Sequence, residues 1–105
     1  RPTGPAAGWD VVTARAVGLL DDLVELSMPL LAIGGRLVAW KRGDLGAELA
    51  AGRRAAAALG GSAPQVHRVP DAASLVGHVL IVVRKDRPTP AGYPRDPAAR
   101  KRGRW

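Results

Sequence analysis

Two cations stand where predicted strands end, which is where α/β enzymes bind their ligands. Residues 10–13 (Asp-Val-Val-Thr) contain a β-branched pair that is typical of a buried strand, and Arg15 follows at once. Lys41 follows a second apolar run, residues 37–40. Ligands of open parallel sheets bind beyond the carboxyl ends of the strands, so Arg15 is placed to meet a ligand. A solvent-exposed or ion-paired arginine and a solvated strand-end lysine explain the same residues equally well.

The composition limits the kinds of site that the chain can form. Its 105 residues suffice for one small domain. The absence of cysteine excludes a disulfide framework and a thiolate metal site, and His67 and His78 alone do not make a metal cluster. No apolar run approaches the roughly 20 residues of a membrane helix, and no segment resembles a signal peptide. We therefore expect a cytoplasmic protein without a metal.

The positive charge of the chain is concentrated at its C-terminal end. Residues 84–105 hold eight Arg or Lys against Asp86 and Asp96, which accounts for +6 of the net charge of +7. A basic block of this kind usually binds phosphate, most often in nucleic acid. A solvated terminus without a partner is the alternative. Because residues 87–105 contain four prolines and few apolar side chains, we predict that they are extended or disordered until they meet a partner.

Strands and helices alternate along the predicted fold. The helix predicted over residues 17–31 has leucines at three- and four-residue spacing, with Asp21, Asp22 and Glu25 on its outer side. The continuous apolar run of the second strand favours cover on both of its faces. The predicted strands span 9–14, 36–41, 65–69 and 78–84, and the helices span 17–31 and 45–59.

Glycine, proline and aspartate mark the predicted boundaries of these elements. Pro29 should end or kink the first helix just before it. Gly34-Gly35 should form a sharp turn before the second strand, and Gly60-Gly61 should end the second helix. Asp44 is the expected N-cap of that second helix. Val66 and Val69 are the expected apolar contacts of the third strand, which Pro70 should end.

The last two strands have no helix between them, only a short loop over residues 71–77, so they should form an antiparallel hairpin at a sheet edge. The pattern β-α-β-α-β-β therefore predicts an α/β fold with a mixed sheet, the second half of a doubly wound architecture. A Gly-rich phosphate loop is absent from the sequence. We divide the chain into residues 1–86, the folded part, and 87–105, the basic tail.

Four stretches of the chain resemble the bacterial small-subunit ribosomal RNA guanine-N7 methyltransferases, a family once called glucose-inhibited division protein B. They are 10–16 (Asp-Val-Val-Thr-Ala-Arg-Ala), 34–41 (Gly-Gly-Arg-Leu-Val-Ala-Trp-Lys), the strand 78–85 (His-Val-Leu-Ile-Val-Val-Arg-Lys), and 87–95 (Arg-Pro-Thr-Pro-Ala-Gly-Tyr-Pro-Arg). The last stretch is the most specific, whereas many methyltransferases share the Gly-Gly turn. The resemblance implies the C-terminal half of a Rossmann-like class I fold that uses S-adenosylmethionine.

The resemblance also implies roles for individual residues. Arg15 matches an arginine that contacts the methyl donor, and Lys41 matches a lysine beside the active site, which makes it the catalytic candidate. The chain departs from the family pattern at Arg42, which lengthens the usual Leu-Lys-Gly, and at His78, where many members carry an arginine. We expect a structural role for His78 and a surface position for His67.

The implied function is methylation of guanine N7 in 16S rRNA of the small ribosomal subunit by a monomeric enzyme. Guanine N7 carries a lone pair and no proton, so the reaction needs positioning rather than a general base. We hypothesise that basic residues of the tail bind rRNA phosphates. They are Arg87, Arg95, Arg100, Lys101, Arg102 and Arg104.

Two other functions fit the sequence. One is a non-catalytic, basic RNA-binding module, and the other is the nucleotide-binding half of an oxidoreductase. The chain begins at Arg1 within a Pro- and Gly-rich stretch, which suggests that a preceding half is missing. We therefore expect these residues alone not to catalyse methyl transfer.

Overall fold

The computed structural model describes residues 8–15, 18–42, 45–68 and 77–105. The strands are β1 (Trp9–Arg15), β2 (Leu31–Arg42), β3 (Gln65–Arg68) and β4 (His78–Arg84). The helices are α1 (Leu20–Ser27), α2 (Gly46–Leu59) and α3 (Pro97–Arg102), and a short 3-10 turn spans Met28–Leu30. The predicted α/β class is confirmed.

The four strands form one mixed sheet in the order β1-β2-β4-β3. β1 pairs with β2 in parallel, while β4 is antiparallel to both β2 and β3. The predicted hairpin of the last two strands is therefore confirmed, with β3 at the edge. Because β4 reverses direction between them, β2 and β3 run the same way, and the carboxyl ends of β1, β2 and β3 share one edge of the sheet.

One face of the sheet carries the core. Alternate side chains of β2 and β4 on this face meet apolar residues of α1 and α2. Val38 and Trp40 point to the other face and are only half-buried, so the expected cover of both faces is incomplete in the described part of the chain. The buried contacts include Leu20, Val24, Leu37, Ala39, Ala55, Leu59, Ile81 and Val83.

The Gly-Gly segment does not form the turn that the sequence predicts, because it lies inside β2. Trp9 pairs with Leu31 and Val11 with Arg36, so the register shifts and β2 bulges at this point. Gly34 has a φ of 91°, and a Cβ on Gly35 would lie 2.7 Å from the carbonyl oxygen of Trp9. Glycine is required here for close approach of two strands rather than for chain reversal.

The first helix is shorter than predicted, but it ends where proline requires. α1 stops at Ser27, and Pro29 lies in the 3-10 turn, as expected for a residue that cannot continue the helix. The buried amino group of Lys85 then donates hydrogen bonds to the carbonyls of Met28 and Leu31, at 2.9 and 2.8 Å. Burial lowers the pKa of Lys85 from its usual value. These bonds join the end of β4 to the turn that precedes β2.

The second helix and the third strand match their predicted positions with one exception in packing. α2 ends at Leu59, and Gly60 follows in the left-handed conformation, as predicted. The expected N-cap Asp44 and the strand end at Val69 and Pro70 lie outside the described residues. Val66 is 47% exposed rather than packed, because β3 is an edge strand beyond the cover of the helices. Among the described residues, no helix has the length and apolar content needed to cross a bilayer.

Gly60 and Gly92 allow a matched test of the packing at the end of α2. Both have a left-handed φ, 93° and 94°, but only at Gly60 would a Cβ collide with backbone, the carbonyl of Arg87. We expect Gly92→Ala to cost about 1 kcal/mol for the backbone conformation alone. Gly60→Ala should cost about 2 kcal/mol or more, because the collision is added. Urea unfolding measures both, and equal costs would contradict the close approach.

Candidate ligand-binding edge

Cations line the edge of the sheet where three strands end. Arg15, Arg42 and Arg68 are the last residues of β1, β2 and β3, and all three side chains are exposed. His78 begins β4 and lies opposite Arg42 in the register. The carboxyl edge of this sheet therefore presents positive charge to the region where α/β proteins bind ligands.

Arg15 lies where the sequence predicts, and its guanidinium is placed by an aromatic ring. It is opposite Trp40 in the parallel register, so both side chains share one face of the sheet. The guanidinium carbon is 5.3 Å from the centroid of the Trp40 ring, a cation–π contact. Among the described residues, no carboxylate lies within ion-pair distance of Arg15. Its hydrogen-bond donors therefore remain available to an anionic ligand.

Lys41 points to the other face, where it is enclosed. Its side chain is 8% exposed, and Nζ lies 2.5 Å from Oε2 of Glu48 in the first turn of α2. The same amino group donates a hydrogen bond to the carbonyl of Gly18 at 2.7 Å. Oε2 of Glu48 also accepts a hydrogen bond from the backbone N–H of Leu20, the first residue of α1, at 2.8 Å. This cluster, Gly18, Leu20, Lys41 and Glu48, is called the Glu48 clasp.

The two sequence-predicted site residues are thus brought to neighbouring strand ends but not to one face. Arg15 shares its face with Trp40, while Lys41, one residue further along β2, points the opposite way. The ammonium of Lys41 is already engaged by a carboxylate and a carbonyl. This geometry favours a positioning role for Lys41, and its catalytic assignment stays a prediction.

Glu48 is the member of this site that the sequence reasoning missed. A signal was present, because alternation along β2 places Lys41 on the same face as the buried Leu37 and Ala39. A lysine on a core-facing position needs a carboxylate partner. Glu48, in the first turn of the next helix, was within reach of that position.

Among the described residues, neither histidine lies in a group of side chains suited to a metal ion. His67 is exposed on β3, as predicted, and His78 is half-buried, with an Nδ1 that has no hydrogen-bond partner among the described residues. No group of three or more His, Asp or Glu side chains suited to a metal ion occurs in the described part of the chain. The Nδ1 of His78 is buried, so this nitrogen is not presented to a ligand at the surface of the edge.

The tail is ordered and packs on α1, which corrects the prediction that it is extended or disordered. Arg95 donates two side-chain hydrogen bonds to the carboxylate of Glu25, at 2.9 and 2.8 Å, and a backbone N–H at 2.8 Å. Nε1 of Trp105 donates to the same carboxylate at 3.0 Å. The guanidinium of Arg95 also lies near the rings of Tyr93 and Trp105. Glu25 is fully buried as a result, not outward as predicted.

A second set of ion pairs joins the tail to the start of α1. Arg104 pairs with Asp21 and lies 3.3 Å from Asp22, so Asp21 is buried instead of solvated. Arg100 lies 3.8 Å from Asp22. The acidic side of α1, which the sequence indicated as its solvent face, is therefore the docking surface of the tail.

Only part of the tail's charge remains for a partner. Arg87 donates a hydrogen bond to the carbonyl of Ala57 at 2.9 Å. Lys101 and Arg102 are exposed on α3, and no described carboxylate lies within ion-pair distance of either. Of the six predicted RNA-binding cations, these two have the fewest described partners within the protein. The division of the chain at residues 86 and 87 stays a prediction.

A groove opens beside the Glu48 clasp. It has a volume of about 470 Å³ and lies between the N-terminal ends of α1 and α2. Asp21 and Glu48 line it with carboxylates, and Arg104 and Trp105 of the tail form its wall. The docked tail thus shapes the surface next to the strand-end residues.

The chain is an α/β protein with cations at the carboxyl edge of its sheet. The chain is 48% identical over 87 residues to ribosomal RNA small subunit methyltransferase G of Deinococcus radiodurans, which covers 83% of the chain and 34% of that relative. The proteins of the same name from Lacticaseibacillus paracasei and Bacillus subtilis are 44% and 39% identical over 87% and 85% of the chain. No family model matches the chain.

The resemblance seen in the sequence is therefore confirmed, and the matched segment of this chain belongs to the ribosomal RNA small subunit methyltransferase G family. The chain spans about a third of the length of these relatives, 34% to 37% for the three named here.

Acid should release the tail through Glu25. Hydrogen bonds from Arg95 hold the pKa of Glu25 at about 2, below its usual 4.5. Because folding lowers the pKa of Glu25, its ionised carboxylate stabilises the fold above about pH 4.5. This stabilisation is lost as the pH falls towards about 2 and the carboxylate is protonated. We expect roughly 2–3 kcal/mol of unfolding free energy to disappear over this window.

Glu25→Gln should remove that pH dependence, as measured by urea unfolding of wild type and variant at several pH values. Asp86→Asn is the matched control, because Asp86 is an exposed carboxylate paired with Arg84. Exposed pairs contribute little to stability, so this control should leave the pH profile nearly unchanged. A Glu25→Gln profile that matches wild type would contradict the assigned role of the pair.

Proposed function

We propose that this chain forms the ligand-binding edge of a monomeric cytoplasmic methyltransferase that uses S-adenosylmethionine to methylate guanine N7 in 16S rRNA of the small ribosomal subunit. The observation that carries the proposal is the similarity to ribosomal RNA small subunit methyltransferase G over 83% of the chain. The guanine position and the methyl donor come from the family resemblance of the sequence motifs.

The residues present at the edge fit the methyl donor. Its methionine moiety carries a carboxylate, and Arg15 offers an exposed guanidinium that Trp40 holds in place. When bound, the donor supplies an electrophilic methyl group on sulfur. Guanine N7 has a lone pair and no proton, so no group of the chain needs to accept a proton. The engaged ammonium of Lys41 is compatible with such a reaction.

RNA binding is proposed for the cations that the fold leaves exposed. Lys101 and Arg102 lie on α3, and Arg42 and Arg68 lie at the carboxyl edge of the sheet. Arg87, Arg95, Arg100 and Arg104 have partners within the protein, so they would contribute mainly by holding the tail in place. Exposed cations bind RNA phosphates with little sequence preference.

Methyl transfer from labelled S-adenosylmethionine to small-subunit rRNA tests the enzyme proposal. The assay uses the chain alone and a chimera in which it is joined to the part of the Deinococcus radiodurans relative that it does not cover. We expect activity in the chimera only. Arg15→Ala should raise the KM for the donor about 10- to 100-fold, the effect of losing one charge-assisted hydrogen bond. Arg36→Ala, which removes an exposed arginine from the middle of β2, should leave it unchanged.

The salt dependence of RNA binding tests the proposed phosphate contacts. Lys101→Gln with Arg102→Gln should reduce the slope of log affinity against log salt by about 1.4, at about 0.7 per phosphate contact of single-stranded RNA. The matched control is Arg36→Gln with Arg84→Gln, which removes the same charge from two exposed arginines that face each other across β2 and β4. Fluorescence anisotropy of a labelled rRNA fragment gives the slopes, and equal slopes in both double variants would refute a specific role for α3.

A further inference from the structure

The carboxylate of Glu48 holds three elements together at the candidate site. Its Oε2 contacts Nζ of Lys41 at the end of β2 and the N–H of Leu20 at the start of α1, while Glu48 itself belongs to α2. The Lys41 and Glu48 side chains are 8% and 15% exposed, so solvent screens the pair weakly. The clasp is therefore a strong local constraint at the mouth of the groove.

The clasp holds the backbone at the start of α1. Lys41 donates a hydrogen bond to the carbonyl of Gly18, and Glu48 accepts one from the N–H of Leu20. Arg15, the last residue of β1, contacts the ring of Trp40. Trp40 and Lys41 are adjacent on β2, so one strand end contacts both the end of β1 and the backbone just before α1.

We propose that Glu48 is a positioning residue for the methyl donor. It holds Lys41 and the first residue of α1, and through them it keeps Gly18 and the start of α1 in the position, relative to Arg15, that donor binding requires. Lys41 acts as the link between Glu48 and Gly18. This inference rests on the proposed function, because it assigns the donor to the edge that Arg15 occupies.

Two properties of Glu48 favour this role over general support of the core. Glu48 lines the groove between α1 and α2, and its side chain is 15% exposed. It also satisfies the N–H of Leu20 at a helix start that lacks a side-chain cap of its own. Loss of the charge should therefore loosen Gly18 and the start of α1 locally while the core of β2 and β4 stays intact.

Donor binding by the chimera tests the proposal, with Glu48→Gln, Lys41→Met and the double variant compared by calorimetry and steady-state kinetics. We expect Glu48→Gln to weaken donor binding and raise its KM about 10-fold, with kcat changed less than about 3-fold. Lys41→Met should give a similar change, and the double variant should be no worse than the worse single one, because both residues act through one clasp. Asp86→Asn, which breaks an exposed pair at the other end of the sheet, should have no effect.

Amide hydrogen exchange of Leu20 in the isolated chain provides a readout that does not depend on activity. Glu48→Gln should accelerate exchange at Leu20 while exchange at Ile81 in the core stays unchanged, which would also show that the variant folds. Unchanged donor binding in Glu48→Gln, with binding by the unaltered chimera, would overturn the positioning role and leave the methyltransferase proposal standing. A large loss of kcat in Lys41→Met alone would overturn it in favour of direct catalysis by Lys41. Absence of donor binding by the unaltered chimera would refute the proposed function and this inference with it.

Discussion

Neighbouring residues of a β-strand point to opposite faces of the sheet, and the candidate site depends on this alternation. At the end of β2, Trp40 faces the open side, where it supports Arg15, and Lys41 faces the helices, where it meets Glu48. The end of β2 thus places two cations in different environments on the two faces of the sheet. An exposed cation is available to a ligand on one face, and a neutralised cation holds the backbone on the other.

The basic side chains of the tail can pair either with carboxylates of the protein or with an external ligand. The carboxylates of α1 attract the arginines of the tail, and the buried Glu25 receives hydrogen bonds from both Arg95 and Trp105. A buried carboxylate is costly unless it is fully paired, so these contacts explain why the tail is ordered. They also reduce the number of positive charges available to RNA, because carboxylates of the protein already pair with much of the cationic tail.

Local patterns predicted most of the backbone and part of the site. The strands, the hairpin, the end of α1 near Pro29 and the end of α2 at Gly60 were predictable because each depends on nearby residue types. Arg15 was predictable because it follows a strand directly. The bulge at Gly34 and Gly35 was not, because a glycine pair suits a turn and a close strand contact equally well, and only the pairing with β1 distinguishes them.

The sequence by itself determined the order of strands and helices, the basic balance of the C-terminal end and the strand-end positions of Arg15 and Lys41. These properties follow from composition and short-range periodicity. Only the tertiary structure decided that Glu25 and Asp21 are buried under the tail and that Glu48 neutralises Lys41. The physical reason is that ion pairs between residues far apart in sequence leave no periodic signal, since their partners are chosen by packing of the helices on the sheet.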